Sequence, residues 1–162
     1  MGHEPLTAPE RGPGIWFPPP LLYAIPFFGG WLLGRGVPLA ITRGEPVWLE
    51  RVGVGLVAVW AALFVWAAAT LVRAGATIRP DRPAKALVTT GPYAVSRNPL
   101  YLGLTVLYAG LALMVNSVWP VFLLPIPVLL IDRVVIPREE RYLEATFGER
   151  YEEYRRRVRR WL

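Results

Sequence analysis

The sequence predicts an all-α integral-membrane protein. It should have about four transmembrane helices, the last two paired as a helical hairpin, and then an amphipathic C-terminal helix on the cytoplasmic side. Three observations predict this. The 162 residues are 54% hydrophobic, and with the 15 glycines the fraction is about 63%, against roughly 45–50% for a soluble domain. Charge is segregated into clusters separated by long uncharged stretches. The composition then changes abruptly after Pro137 to a charged, periodic tail. Mean hydropathy is +0.35.

The length fits one domain spanning residues 1–162. With no cysteine, disulfides, thiolate nucleophiles and cysteine metal sites are excluded. The single histidine, His3, lies near the start, which removes His-based triads and His-rich metal sites. Eighteen basic residues against twelve acidic ones give a formal charge of +6. Three arginines fall in 35–51, five basic residues in 73–97 and nine arginines from Arg133 onward. These positions flank apolar spans, and no recognition motif accompanies them, so they point to anionic lipid and not to nucleic acid.

The first expected span runs from Trp16 to Leu33, with prolines at 18–20 tolerated at a helix start and Pro26 predicting a kink. No signal peptide is expected before it, because Met1–Gly14 carries Glu4 and Glu10 and lacks a basic n-region. The clearest span is Val52–Val72. It is 21 uncharged residues bracketed by Arg51 and Arg73, rising ~31 Å as a helix against a ~30 Å hydrocarbon core. A third runs from Leu100 to about Val115. Residues 116–120 read as a tight turn. Val121–Ile131 is too short alone and holds Pro125 and Pro127, and extension to Ile136 places Asp132 and Arg133 near its end. Four crossings put both termini and the 73–99 loop on one side, which the positive-inside rule makes the cytoplasm.

Beyond Pro137, residues Leu143, Phe147, Tyr151, Tyr154, Val158 and Trp161 recur every three or four positions, the spacing of one helix face. Pro137, Glu139 and Glu140 suit a helix start, and Gly148 should interrupt it. The plain reading of the Arg155–Trp161 end is a helix lying on the lipid surface.

The densest polar signal is Leu87–Gly103. Gly91-Pro92 marks a turn and Asn98-Pro99 a helix start. Tyr93, Arg97, Asn98 and Tyr101 therefore gather at a helix N-terminus, where N–H groups can hold a carboxylate. An interfacial anchor would need the same residue types.

GPYAVSRNPLYLG, followed after a hairpin by IPREERYLEATFGERYEEYRRRVRRWL, resembles the isoprenylcysteine carboxyl methyltransferase and phospholipid methyltransferase family of membrane enzymes. The similarity covers about Arg73–Leu162, while residues 1–72 match only as hydrophobic spans. It implies a catalytic half from residue 73 that binds S-adenosylmethionine (SAM), releases S-adenosylhomocysteine, and uses no metal. By motif, Lys85, Ala86, Leu87 and Val88 would line the cofactor. Tyr93 matches the family tyrosine. Asn98, Pro99, Leu100 and Tyr101 match the family's His-Pro-x-Tyr, with Asn98 in place of histidine. Glu139 matches the acidic residue that touches the cofactor, with Glu140 beside it. The family's substrate arginine would fall at Val135, a departure that Arg133 or Arg138 would have to cover.

These residue types suit methyl transfer, where placing a nucleophile about 3 Å from a sulfonium methyl is the main task. Carboxylates at Glu139 and Glu140 and the tyrosine faces favour the cofactor's positive groups. Arg97 or the N–H groups around Asn98 suit its carboxylate. Arg133 is the candidate for orienting an anionic acceptor, with Asp132 its local partner or merely its interfacial ion pair. The expected partners are an amphipathic or lipid-like acceptor and membrane lipid. The alternatives are a sterol-reductase-like NADPH enzyme and a non-enzymatic four-helix transporter or scaffold. Oligomeric state is open.

Overall fold

The computed structural model describes residues 13–14, 17–44, 46–76 and 84–162. His3, Glu4, Glu10, Trp16, Arg79 and Arg82 lie outside the described residues. All regular structure within them is helical: α1 (Pro19–Gly36), α2 (Val47–Arg73), a 3-10 turn (Gly91–Ala94), α3 (Pro99–Met114), a long α4 (Val118–Phe147) and α5 (Glu149–Arg157).

Helix α2 runs antiparallel to α3, and α1 runs antiparallel to the start of α4 and parallel to α3. In α2 and α3 the backbones touch at Gly53 and Gly110, where a Cβ on Gly53 would lie 2.7 Å from the Gly110 oxygen. Trp60 then faces Gly103, and Trp66 and Thr70 face Gly91, so the pair stays in register along its length. Small residues permit this approach, and dispersion between the apposed surfaces holds it. Helix α1 crosses with Tyr23 against Thr105 and Gly30 against Pro120.

Asn116 turns the chain between α3 and α4, with φ 46, a left-handed conformation that asparagine tolerates better than most residues. Its amide also exchanges two 3.1 Å hydrogen bonds with the backbone of Thr42. Val118 N–H donates to Leu39 O at 2.9 Å. The α1–α2 loop and the α3–α4 turn therefore share one end of the bundle.

Helix α4 resolves the segment that looked too short. Pro125 and Pro127 cannot donate to the carbonyls four residues back, and the helix divides at Leu124 without ending. Residues Ile131–Val135 form a π-turn in which Ile136 N–H reaches Ile131 O, while Pro137 has no N–H to restore the ordinary ladder. Pro137 thus sits inside a continuous helix and does not start a new one. Gly148, at φ 54, separates α4 from α5 as expected.

Among the described residues two helices, α2 and α4, are long and apolar enough to cross a bilayer, at 27 and 30 residues. The outward face of α2 presents Val59, Phe64, Val65 and Trp66, an apolar surface of the kind a membrane covers. Helix α1 contains Pro26 and carries Arg35 in its last turn, and α3 has 16 residues, a rise of ~24 Å. Neither of these two matches α2 or α4 in length and apolarity combined.

Candidate functional site

The site lies at the other end of the bundle, where α3 begins and α4 passes its π-turn. Pro99 occupies the first position of α3, its missing N–H harmless there. The preceding loop is fixed locally, with Asn98 N–H donating to Ser96 Oγ at 3.1 Å. One turn into the helix, the Tyr101 hydroxyl donates to Glu139 Oε1 at 2.6 Å. This joins two halves of the sequence motif across 38 positions. The pairing follows from α4: the π-turn carries the chain past α3 so that Glu139 emerges beside Tyr101.

Next to this pair is an ionic network. Arg97 Nη2 meets Glu140 Oε1 at 3.2 Å, with the two side chains only 11% and 13% exposed. Arg160 Nη2 holds the other Glu140 oxygen at 2.7 Å, and its Nη1 reaches Asp132 Oδ1 at 3.3 Å. The Trp161 indole donates to the same Asp132 oxygen at 2.9 Å. The hydrogen bond to Glu140 raises the Arg160 guanidinium above its ordinary value. In Arg97, Nε and Nη1 are buried and have no partner among the described residues. A guanidinium with buried, unfilled donors is costly, and donors of this kind can accept an anion.

Tyrosines form the floor. Tyr154 O–H donates to Tyr93 O at 2.7 Å, and Tyr151 packs edge-on against Tyr154 at 6.2 Å. Burial pushes the Tyr93 hydroxyl upward, and the neighbouring Tyr154 and Glu139 add to the shift. Burial likewise raises Tyr154, and raises Tyr151 to about 12. These hydroxyls are donors throughout the physiological range.

The expected residues are distributed unevenly around this centre. Tyr101, Glu139, Glu140, Arg97 and Asn98 converge. Val88 and Tyr93 are buried together against Ala67 and Leu71 of α2, with Leu100 packed alongside. Ala86 and Leu87 are half-buried, and Lys85 is exposed. Arg138 is exposed, and Arg133 is 77% exposed, paired with Asp132 at 3.3 Å. Asp132 therefore serves Arg160 and Trp161 as well as its expected local partner.

The tail also departs from expectation. Helix α5 ends at Arg157, and Val158 is extended at φ −119, ψ 131. The Arg160–Trp161 end folds onto the site where the spacing had suggested a helix on the lipid. Part-buried acceptors explain this: Asp132 and Glu140 offer paired partners that a lipid-surface helix would forgo. Sequence reasoning missed Ser96, Tyr151, Tyr154 and Arg160 as site components. The only sequence signal for the tail was Trp161, which the helical stripe had absorbed.

The helical bundle, the two long apolar helices and the tyrosine–carboxylate centre at one end suggest a membrane protein with a polar site at one end of the bundle. The particular family follows from comparison: residues 49–150 match phospholipid methyltransferase, and the chain belongs to that family. This is the expected family, and the match reaches back through α2, beyond the Arg73 limit of the motif similarity. A 35-residue stretch is 51% identical to an uncharacterised protein of Haemophilus influenzae, covering 22% of this chain and 56% of that protein. No solved structure matches. The chain is thus a membrane protein of a methyltransferase family.

Proposed function

We propose that the protein is a multi-pass membrane enzyme that transfers a methyl group from SAM to an amphipathic or lipid-linked carboxylate, thiol or amine. The observation that carries this is the convergence of Tyr101, Glu139 and the part-vacant guanidinium of Arg97 at one polar end of an apolar bundle. The donor set fits the cofactor's charges. Arg97 Nε and Nη1 suit its carboxylate, while Glu139, Glu140 and the tyrosine rings suit its ammonium and sulfonium.

When bound, SAM supplies an electrophilic methyl group. The chain's own residues hold and orient. Tyr101 fixes the Glu139 carboxylate by its 2.6 Å hydrogen bond. Val88, Tyr93 and Leu100 offer an apolar wall beside it. Arg133, exposed at the edge, is placed to attract an anionic acceptor headgroup from the interface. An acyl or prenyl tail would remain among the apolar helices. Both termini and the site face the cytoplasm in this reading, where the soluble cofactor is available. Family membership speaks against the reductase and transporter alternatives.

The test is methyl transfer by purified protein in lipid nanodiscs with labelled SAM. The acceptor panel contains phosphatidylethanolamine, a prenylcysteine and a long-chain thiol. Label in one acceptor class, lost in Glu139→Gln, supports the reading and names the acceptor. No label in any class, together with no saturable S-adenosylhomocysteine binding by folded protein, sinks it.

A further inference from the structure

We infer that Arg160 is a positioning residue, which by holding Glu140 keeps part of the Arg97 guanidinium open to a carboxylate ligand. This inference rests on the methyltransferase reading, but it concerns residues beyond the matched 49–150.

The strap formed by residues 158–162 leaves α5 at Val158 and returns across the loop before α3. Arg97 N–H donates to Arg159 O at 3.0 Å. The Arg160 carbonyl accepts from Asn98 Nδ2 at 2.9 Å and from Ser96 Oγ at 3.3 Å. The Arg160 side chain takes both oxygens of Glu140, through Nε at 3.2 Å and Nη2 at 2.7 Å, and reaches Asp132 as well. Trp161 packs its ring against the cluster of Tyr101, Ile131, Val135 and Ile136. One residue thus ties the π-turn, the Glu139–Glu140 stretch and the Ser96–Asn98 loop.

The consequence lies at Arg97. Glu140 is already held on both oxygens by Arg160, so Arg97 obtains a single 3.2 Å contact with it. Among the described residues its Nε and Nη1 are buried and find no hydrogen-bond acceptor. A free carboxylate at Glu140 would instead close a two-pronged pair with Arg97 and consume those donors. By clamping Glu140, Arg160 keeps one edge of the Arg97 guanidinium open for a carboxylate ligand. Arg160 need not touch that ligand.

Two probes separate this role from general support of the fold. S-adenosylhomocysteine carries the carboxylate, and 5′-methylthioadenosine shares the nucleoside thioether without it. Binding of both to full-length protein is measured calorimetrically for wild type, Arg160→Gln, Arg160→Lys and Arg97→Gln. Arg160→Gln should weaken S-adenosylhomocysteine at least ~10-fold, the order of one charge-assisted hydrogen bond, and leave methylthioadenosine within about twofold. Arg160→Lys should recover part of the loss. In the Arg97→Gln background, Arg160→Gln should add little, the coupling a shared pathway requires. In turnover, the loss should fall on KM for SAM more than on kcat. Equal weakening of both probes, or of neither, would overturn the role of Arg160 while leaving the methyltransferase reading intact. Wild-type protein that binds neither probe would overturn both.

Discussion

At the scale of single residues, the contact between Tyr101 and Glu139 is the sharpest object in the molecule. At 2.6 Å it is a short hydrogen bond between a hydroxyl and a carboxyl oxygen. Tyr101→Phe removes the donor and leaves a carboxylate without its partner. We expect a stability loss of about 1.5–3 kcal/mol and roughly tenfold weaker S-adenosylhomocysteine binding. Glu139→Gln keeps an oxygen for the tyrosine but loses the charge. It should stay folded and lose cofactor affinity, a contrast that thermal unfolding and calorimetry on the same preparations would read. Both residues were legible in the sequence as motif members. Their pairing was not, because it spans two helices and depends on the phase that the π-turn gives α4.

At the scale of elements, the α2–α3 interface depends on two glycines and the helical cap on three tyrosines. A Cβ on Gly110 would lie 2.8 Å from the Gly53 oxygen, so Gly110→Val must push the helices apart. We expect a cost of about 1–3 kcal/mol, read as a lowered Tm in detergent. Gly55→Ala is the control, since its Cβ would meet nothing within 4 Å, and it should be neutral or slightly stabilising. The cap gives a pH prediction. Tyr93, Tyr151 and Tyr154 have raised values in the folded protein because they are buried. Their stabilising contribution is complete below the ordinary tyrosine value of about 10 and is lost as pH rises through and above it. Unfolding temperatures measured across that range should fall on the alkaline side. The fall should shrink in Tyr154→Phe, which has no ionisable hydroxyl at that position.

For the whole molecule, the stitched loops at Thr42 and Asn116 occupy one end and the ionic network of Arg97, Asp132, Glu140 and Arg160 the other. If the bundle crosses the membrane, Arg43 and Arg156 emerge on opposite sides. The chain contains no cysteine, so single substitutions provide clean reporters. Arg156→Cys should react with an impermeant maleimide only from the cytoplasmic side, and Arg43→Cys only from the other. Labelling of both from one side would overturn the proposed orientation. The sequence predicts this orientation from its charge bias, against the opposing pull of the basic loop around Arg43.

What the sequence determined by itself is the class of molecule and the identity of most of its polar centre. Uncharged runs near residues 52–72 and 100–115 can satisfy their backbone groups in lipid only as helices, and Asn98-Pro99 and Gly148 mark helix limits through rules that act within a few residues. Tertiary structure decided the rest. Whether Pro125, Pro127 and Pro137 end a helix or merely bend it depends on neighbours that hold the chain in line. Whether Arg160 faces lipid or closes the site depends on part-buried carboxylates 20 and 28 residues earlier. Local spacing records which face of a helix is apolar. It does not record where a buried charge finds its partner, since that is fixed only once the helices have packed.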